Sequence, residues 1–255
     1  MQIASNTTAL MAAAALNSAN TQVAKASERI STGLRINRAA DDPAGLGMAN
    51  RLKAQVASYS QVVQNISQGA AAVTLVDDAL SSMSDLLSSM RVAAVASQSD
   101  SISASDRTAY QSEIDGYVTA MSSVASNSTW NGTSLMTAAS TMNIQVGTAS
   151  GDSTSVVFSK MTTSELGVSA LSVSSNGNAT TAVTAIDAAI DDVSEYQAYI
   201  GAKASVLQVQ SDMATSTITN FSGAYGNIMN ADLAAETANL ASAQIRQDGA
   251  TAMLA

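Results

Sequence analysis

The chain has 255 residues, with 11 Lys+Arg against 20 Asp+Glu, a net charge of −9, no Cys, no His and one Pro. Those counts exclude a disulfide framework, a zinc finger and a Ser-His-Asp triad, and the acidic balance argues against a nucleic-acid footprint. Charged residues make up 12% and aromatics 4%, yet the hydrophobic fraction reaches 46%, so the chain packs through many small contacts, as a helical structural protein does.

Residues 5–31 read as one helix, with Ser5 or Asn6 as the cap, Leu16, Val23 and Ile30 at seven-residue spacing, and Gly33 as the stop. The apolar stretch Ala9 to Leu16 could pass for part of a signal peptide. Its first cation, however, is Lys25, on the wrong side, so the segment is expected to be retained. No run approaches the ~18 apolar residues of a membrane span, and no membrane insertion is expected. A charged connector, Leu34 to Asp42, follows. Asp42-Pro43 then restarts a helix, with an Asp cap and a Pro where its missing N–H is not needed.

After Pro43, Leu52, Val56, Tyr59, Val63, Ile66, Ala70, Val73, Val76, Leu80, Met83, Leu87 and Met90 recur at threes and fours, slipping only at Val76. That is a heptad seam, and it predicts a helix from Pro43 to about Ser97, ~80 Å long at 1.5 Å per residue, hence a rod. Ser99 to Ser105 makes the reversal, and Tyr110, Ile114, Tyr117, Met121 and Val124 carry the antiparallel return helix. Residues 127–180 hold five glycines, an Asn131-Gly132 turn signal, an alternating Met142 to Val146 and a candidate partner strand at Val156 to Phe158. Helical period resumes at Thr181 through Val183, Ile186, Ile190, Val193, Ile200, Leu207, Ile218, Phe221, Tyr225 and Ile228. Asn230 interrupts it and Asp232 caps a last Ala-rich helix.

The expected organisation is therefore 1–42 helix and connector, 43–126 long helical hairpin, 127–180 β-containing region, 181–229 long helix and 230–255 terminal helix. The first 24 residues carry no charge and the last 22 carry only Glu236, Arg246 and Asp248, so both terminal helices keep apolar surface for copies of the chain.

Candidate chemistry is thin. Gly45-Leu46-Gly47 imitates a dinucleotide loop, but no strand precedes it and Asn50 occupies the third glycine position. Asp187, Asp191 and Glu195, with Asp192, form a solvated acidic stripe rather than a cation site; neither metal nor cofactor is expected. Asp41-Asp42 and Asp77-Asp78 are adjacent pairs, not carboxylates facing across a cleft. Met83, Met90, Met121 and Met213 read as core filling. Arg35 and Arg38 are expected to pair with Asp41, Asp42 or a neighbouring copy. The sequon Asn131-Gly132-Thr133 matters only in a source that glycosylates asparagine.

Glu28-Arg29-Ile30-Ser31-Thr32-Gly33-Leu34-Arg35-Ile36-Asn37, with Ala40 to Gly45 and Ala49-Asn50-Arg51, resembles the N-terminal signature of bacterial flagellin. Ala231 to Glu236, Leu240, Ala243-Gln244-Ile245 and Gln247 resemble its C-terminal signature, and Trp130-Asn131-Gly132 and Ile144 to Gly147 match its turn and first β segment. The resemblance covers essentially the whole chain. It implies a mainly α fold, an elongated antiparallel coiled-coil rod with a small β-hairpin region and terminal helices forming an inner tube. It further implies a non-enzymatic subunit that self-assembles into the extracellular flagellar filament, with assembly residues Leu10, Leu16, Val23, Ile30, Arg35, Ile36, Arg38, Asp41, Asp42, Asp232, Glu236, Leu240, Gln244 and Ile245.

Implied partners are the flagellar secretion apparatus, a secretion chaperone, the filament cap and hook-junction proteins. An innate-immune Toll-like receptor is expected to engage only weakly. Its family stretch commonly reads Gln-Arg-x-Arg-Glu-Leu-Ala-Val; here Arg91 and Glu113 remain, but Ser89 and Ala93 replace an Arg and a Leu. The zinc protease of some members is excluded by the absence of His. The family commonly continues past Leu254-Ala255 with an apolar tail, and without one the inner tube and the chaperone site would be incomplete. The competing readings are a hook–filament junction protein and, in a different class, the helical hairpin of a chemoreceptor signalling domain.

Overall fold

The computed structural model describes residues 7–254. The Ser5 or Asn6 cap therefore lies outside the described residues. Within them are five α-helices and two small antiparallel sheets: α1 Thr7–Thr32, α2 Pro43–Ser97, α3 Ala104–Asn127, β1 Thr129–Trp130, β2 Thr133–Ser134, β3 Ser140–Gln145, β4 Ser153–Phe158, α4 Asn176–Met229 and α5 Leu233–Leu254. The chain divides into two compact units, one of residues 1–58 with 217–255 and one of residues 59–216.

Local signals explain most boundaries. Gly33 ends α1 at φ +70 while its N–H reaches the Arg29 carbonyl, a left-handed conformation that glycine adopts without strain. The Asp42 carboxylate accepts the Gly45 N–H at the start of α2. At the reversal the helix begins at Ala104, with Ser103 and Asp106 forming a capping box. Arg107 also donates to the Ser97 and Ser99 carbonyls at the end of α2. Helix α4 starts at Asn176, ahead of Thr181, because the Ser175 hydroxyl accepts the Asn178 N–H and supplies a cap that periodicity does not register. Asp232 caps α5 by accepting from Ala234 and Ala235.

In the 59–216 unit the α2 seam runs Ile66, Gly69, Val73, Val76, Leu80, Met83, Leu87, Met90, Ala94 and Ser97, all buried. The slip at Val76 is thus corrected: Gly69, not Ala70, holds the seam position, and the threes and fours alternate without a break from Ile66. Glycine is there because the Ile144 side chain of β3 occupies the space a methyl would need. Val62 likewise replaces Val63 on the buried face. Ile114 and Met121 of α3 and Ile186, Val193, Ile200, Leu207 and Ala214 of α4 complete this core. Met213 does not fill it, being 63% exposed; the seven-residue series places Ala214 inside instead.

Asn131 at φ +48 and Gly132 at φ +77 close the β1–β2 hairpin. The β3–β4 ladder pairs Met142 with Val156 and Ser140 with Phe158, the strands expected from the alternation. The outer edge of β4 is covered from α4, where the Tyr199 and Tyr196 hydroxyls accept the Val157 and Ser159 N–H groups. The two rings stack with centroids 6.0 Å apart.

Candidate functional site

The surface that calls for a function is in the 1–58/217–255 unit. There α1 and α5 pack antiparallel on a seam of alanines. Ala12, Ala19 and Ala26 are buried on α1, as are Glu236, Ala243 and Ala250 on α5. Leu16, Val23 and Ile30 alternate with those alanines and are only half-buried, as is Leu240. The seven-residue alanine spacing was the legible signal for this seam, although the larger side chains draw the eye.

Small seam residues leave the larger apolar side chains outside. Leu10 is 67% exposed, Met11 73%, Ile245 72% and Met253 77%. A groove of about 610 Å³ runs between the helices, lined by Met11, Ala12, Ala15, Ala19, Ala250 and Met253. Gln244 is exposed on the same helix. Met11 and Met253 flank the groove, Leu10 and Ile245 lie about 160° from the alanine seam, and large apolar side chains exposed on both sides of one helix pair are the mark of an interaction surface.

Polar contacts set the register of the pair. Arg29 Nη1 donates to Glu236 Oε1 at 2.9 Å, with the Glu236 side chain 12% exposed. Arg246 donates to Gln22, and Gln247 to Asn20. Sequence reading singled out Glu236 but missed its partner, which sits 207 positions away.

The connector is the second part of the site, and it corrects an expectation. Arg38 pairs with Glu28 at 2.9 Å, not with Asp41 or Asp42. Arg35 donates to the Ile228 carbonyl at 2.7 Å and to that of Asn227, the unsatisfied C-terminal turn of α4, where a cation also meets the negative end of the helix dipole. The two carboxylates are engaged otherwise. Asp41 accepts the Asn37 and Arg38 N–H groups, which closes the turn, and Asp42 caps α2. The hydrogen bonds from Arg38 and then Asn37 hold the Asp41 carboxyl below the usual carboxylate range.

Backbone bonds stitch the connector to the opposite strand of chain. Arg35 N–H reaches the Met229 carbonyl at 2.6 Å, and Ala231 N–H reaches that of Gly33 at 3.0 Å. Ile36, Ala49 and Met229 are buried together beneath Leu34, Leu46 and Tyr225. Asp232 is exposed at its cap position.

The remaining predicted positions lie in the 59–216 unit and do not form one open patch. Arg91 grips Asp187 at 2.6 Å, so that carboxylate of the acidic stripe is already paired. The Glu113 carboxylate accepts from Tyr117 at 2.8 Å. Ser89 is half-buried, and its hydroxyl returns to the Asp85 carbonyl. Ala93 is 3% exposed within the core, which corrects its assignment as a receptor-facing residue; Val92, at 69%, is the exposed neighbour.

Comparison with known proteins supplies the frame. The family model for the bacterial flagellin N-terminal helical region matches residues 3–141, and that for the C-terminal helical region matches residues 183–255. A flagellin of Halalkalibacterium halodurans is 29% identical over 91% of this chain and 86% of its own length. The flagellar filament 33 kDa core protein of Treponema phagedenis is 28% identical over 100% and 95%. A flagellin of Listeria monocytogenes is 29% identical over 100% and 94%. The crystal structure of Bacillus cereus flagellin shares the fold, with a TM-score of 0.55 and 24% identity over 64% of this chain and 94% of that one.

Proposed function

The chain belongs to the bacterial flagellin family and is a structural subunit of the flagellar filament, and we propose that copies join through the α1–α5 hairpin and its connector. Neither the hook–filament junction nor the chemoreceptor reading is favoured by these relatives. The observation that carries the hairpin assignment is the exposure of Leu10, Met11, Ile245 and Met253 on a helix pair whose own seam is alanine. Burying such side chains releases about 1.5–3 kcal/mol each, and only another copy repeated along the polymer supplies that surface throughout.

On this reading residues 1–42 and 230–255 form the inner layer, and residues 43–126, 127–180 and 181–229 the outer one. Leu16, Val23, Ile30 and Leu240, half-buried in the single chain, finish burying there. The connector, with Arg35, Ile36, Arg38, Asp41, Asp42 and Asp232, sets the angle between the two layers. Export through the flagellar secretion apparatus, a chaperone on α5 and contacts with the cap and hook-junction proteins belong to the same proposal. No described helix is long and apolar enough to cross a membrane. Receptor signalling is weak on this reading, because Arg91 and Glu113 are already engaged and Ala93 is in the core; Ser89→Arg is the change that would strengthen it in a reporter assay.

The deciding experiment removes residues 1–30. The shortened chain should remain soluble and helical by circular dichroism yet fail to elongate sheared filament seeds. Filaments of normal length would overturn the assignment of the hairpin.

A further inference from the structure

The hairpin carries few charges, and half of them are paired within the chain. On α1 and α5 these are Lys25, Glu28, Arg29, Glu236, Arg246 and Asp248. Glu28 is paired with Arg38 and Arg29 with Glu236. Three are left over. Lys25 makes no hydrogen bond or ion pair among the described residues and acts on Asp41 only through space. Arg246 donates to the neutral Gln22. Asp248 is exposed, and its carboxylate has no partner among the described residues.

Lys25 and Arg246 belong to one concave feature. A polar cleft of about 220 Å³ opens between the helices, lined by Gln22, Lys25, Arg29, Glu236, Asn239 and Arg246. Glu236 is paired with Arg29 at 2.9 Å, so Lys25 and Arg246 line the cleft with no carboxylate in direct contact with either among the described residues. Asp248 cannot serve them within its own chain. It lies two residues beyond Arg246, which on an α-helix is a rotation of about 200°, so it points away from the cleft.

A face that becomes buried on assembly cannot leave charges unpaired, because desolvating an unpartnered charge costs far more than burying an apolar group recovers. Resting on the assembly surface assigned above, we propose that Asp248 of one copy docks in the Lys25/Arg246 cleft of the next. Donor and acceptor occupy opposite faces of the hairpin. The contact is therefore heterologous: each copy gives one carboxylate and receives one, and the series continues without closing, as a helical polymer requires. The ligand is a single side-chain carboxylate on a second copy of this chain, held by an ammonium and a guanidinium.

The test is a charge exchange in the full chain, read as the critical concentration for growth on sheared filament seeds. Asp248→Lys and Arg246→Glu should each raise it by about tenfold or more, and the doubly exchanged chain should return to within about threefold of the wild type. Because Arg246→Glu also removes the bond to Gln22, the exchange Lys25→Glu with Asp248→Lys reads the same contact without that complication. Wild-type growth with unaffected single variants, or with no recovery in both exchanges, overturns the pairing alone. A wild type that never elongates seeds overturns the assembly surface on which the pairing rests.

Discussion

The replacement Gly69→Ala sets two opposed effects against each other at one methyl group. Residue 69 lies in the interior of α2, where Ala is favoured over Gly by about 1 kcal/mol through the smaller backbone entropy it gives up. A methyl there would stand 2.7 Å from Ile144 Cγ1 and closer still to Cδ1. Ile144 is 4% exposed on β3, so its side chain has little room to withdraw. Overpacking of this kind costs about 1–3 kcal/mol, so the clash outweighs the propensity gain and the net loss should be near 1 kcal/mol. For a chain of this size that is about 2–4 °C in Tm. The same change in an Ile144→Ala background has no obstacle and should stabilise by about 1 kcal/mol, although Ile144→Ala itself costs about 2–5 kcal/mol. Thermal unfolding of the four monomers by circular dichroism gives the cycle. A similar stabilisation by Gly69→Ala in both backgrounds would refute the packing argument.

Arg35→Ala removes the bonds to the Ile228 and Asn227 carbonyls at an exposed site; helicity should be unchanged while filament shape or acid resistance alters under electron microscopy. Tyr199→Phe uncovers the Val157 N–H on the free edge of β4 and should cost about 1 kcal/mol by urea denaturation. Burial raises the Tyr196 hydroxyl above its ordinary value, so its contribution is complete below the usual tyrosine range and is lost as pH rises through the folded value, giving alkaline unfolding that Tyr196→Phe should blunt. Asp41, held low by the Arg38 and Asn37 N–H groups, acts with the opposite sign. Its stabilisation is complete above the ordinary aspartate value and is lost as pH falls through the lowered one. Acid loss of the connector should therefore be smaller in Asp41→Asn, read by hydrogen exchange at residues 37–42.

What the sequence by itself determined is what depends on neighbours a few residues apart. The Asp42-Pro43 start, the Gly33 stop, the Asn131-Gly132 turn and the Asp232 cap each act through a local backbone bond or a locally required φ, and each boundary stands where those residues put it. The seam from Ile66 to Met90 was legible for the same reason, since periodicity reports which face is buried wherever its members are large. It misread Gly69, because a glycine carries no hydrophobic signal and its place is set by Ile144, 75 positions on. The alanine seam of α1 and α5 gives a weaker signal than the larger Leu16, Val23 and Ile30 for a similar reason, since a single methyl adds little to a hydrophobic period. Only the tertiary structure decided the destinations of the long polar side chains. Arg35 chose the carbonyls ending α4, Arg38 chose Glu28 over the adjacent aspartates, and Arg29 found Glu236. Those choices depend on which chain end arrives within reach once the apolar seams close, so charge and spacing along the chain do not contain them.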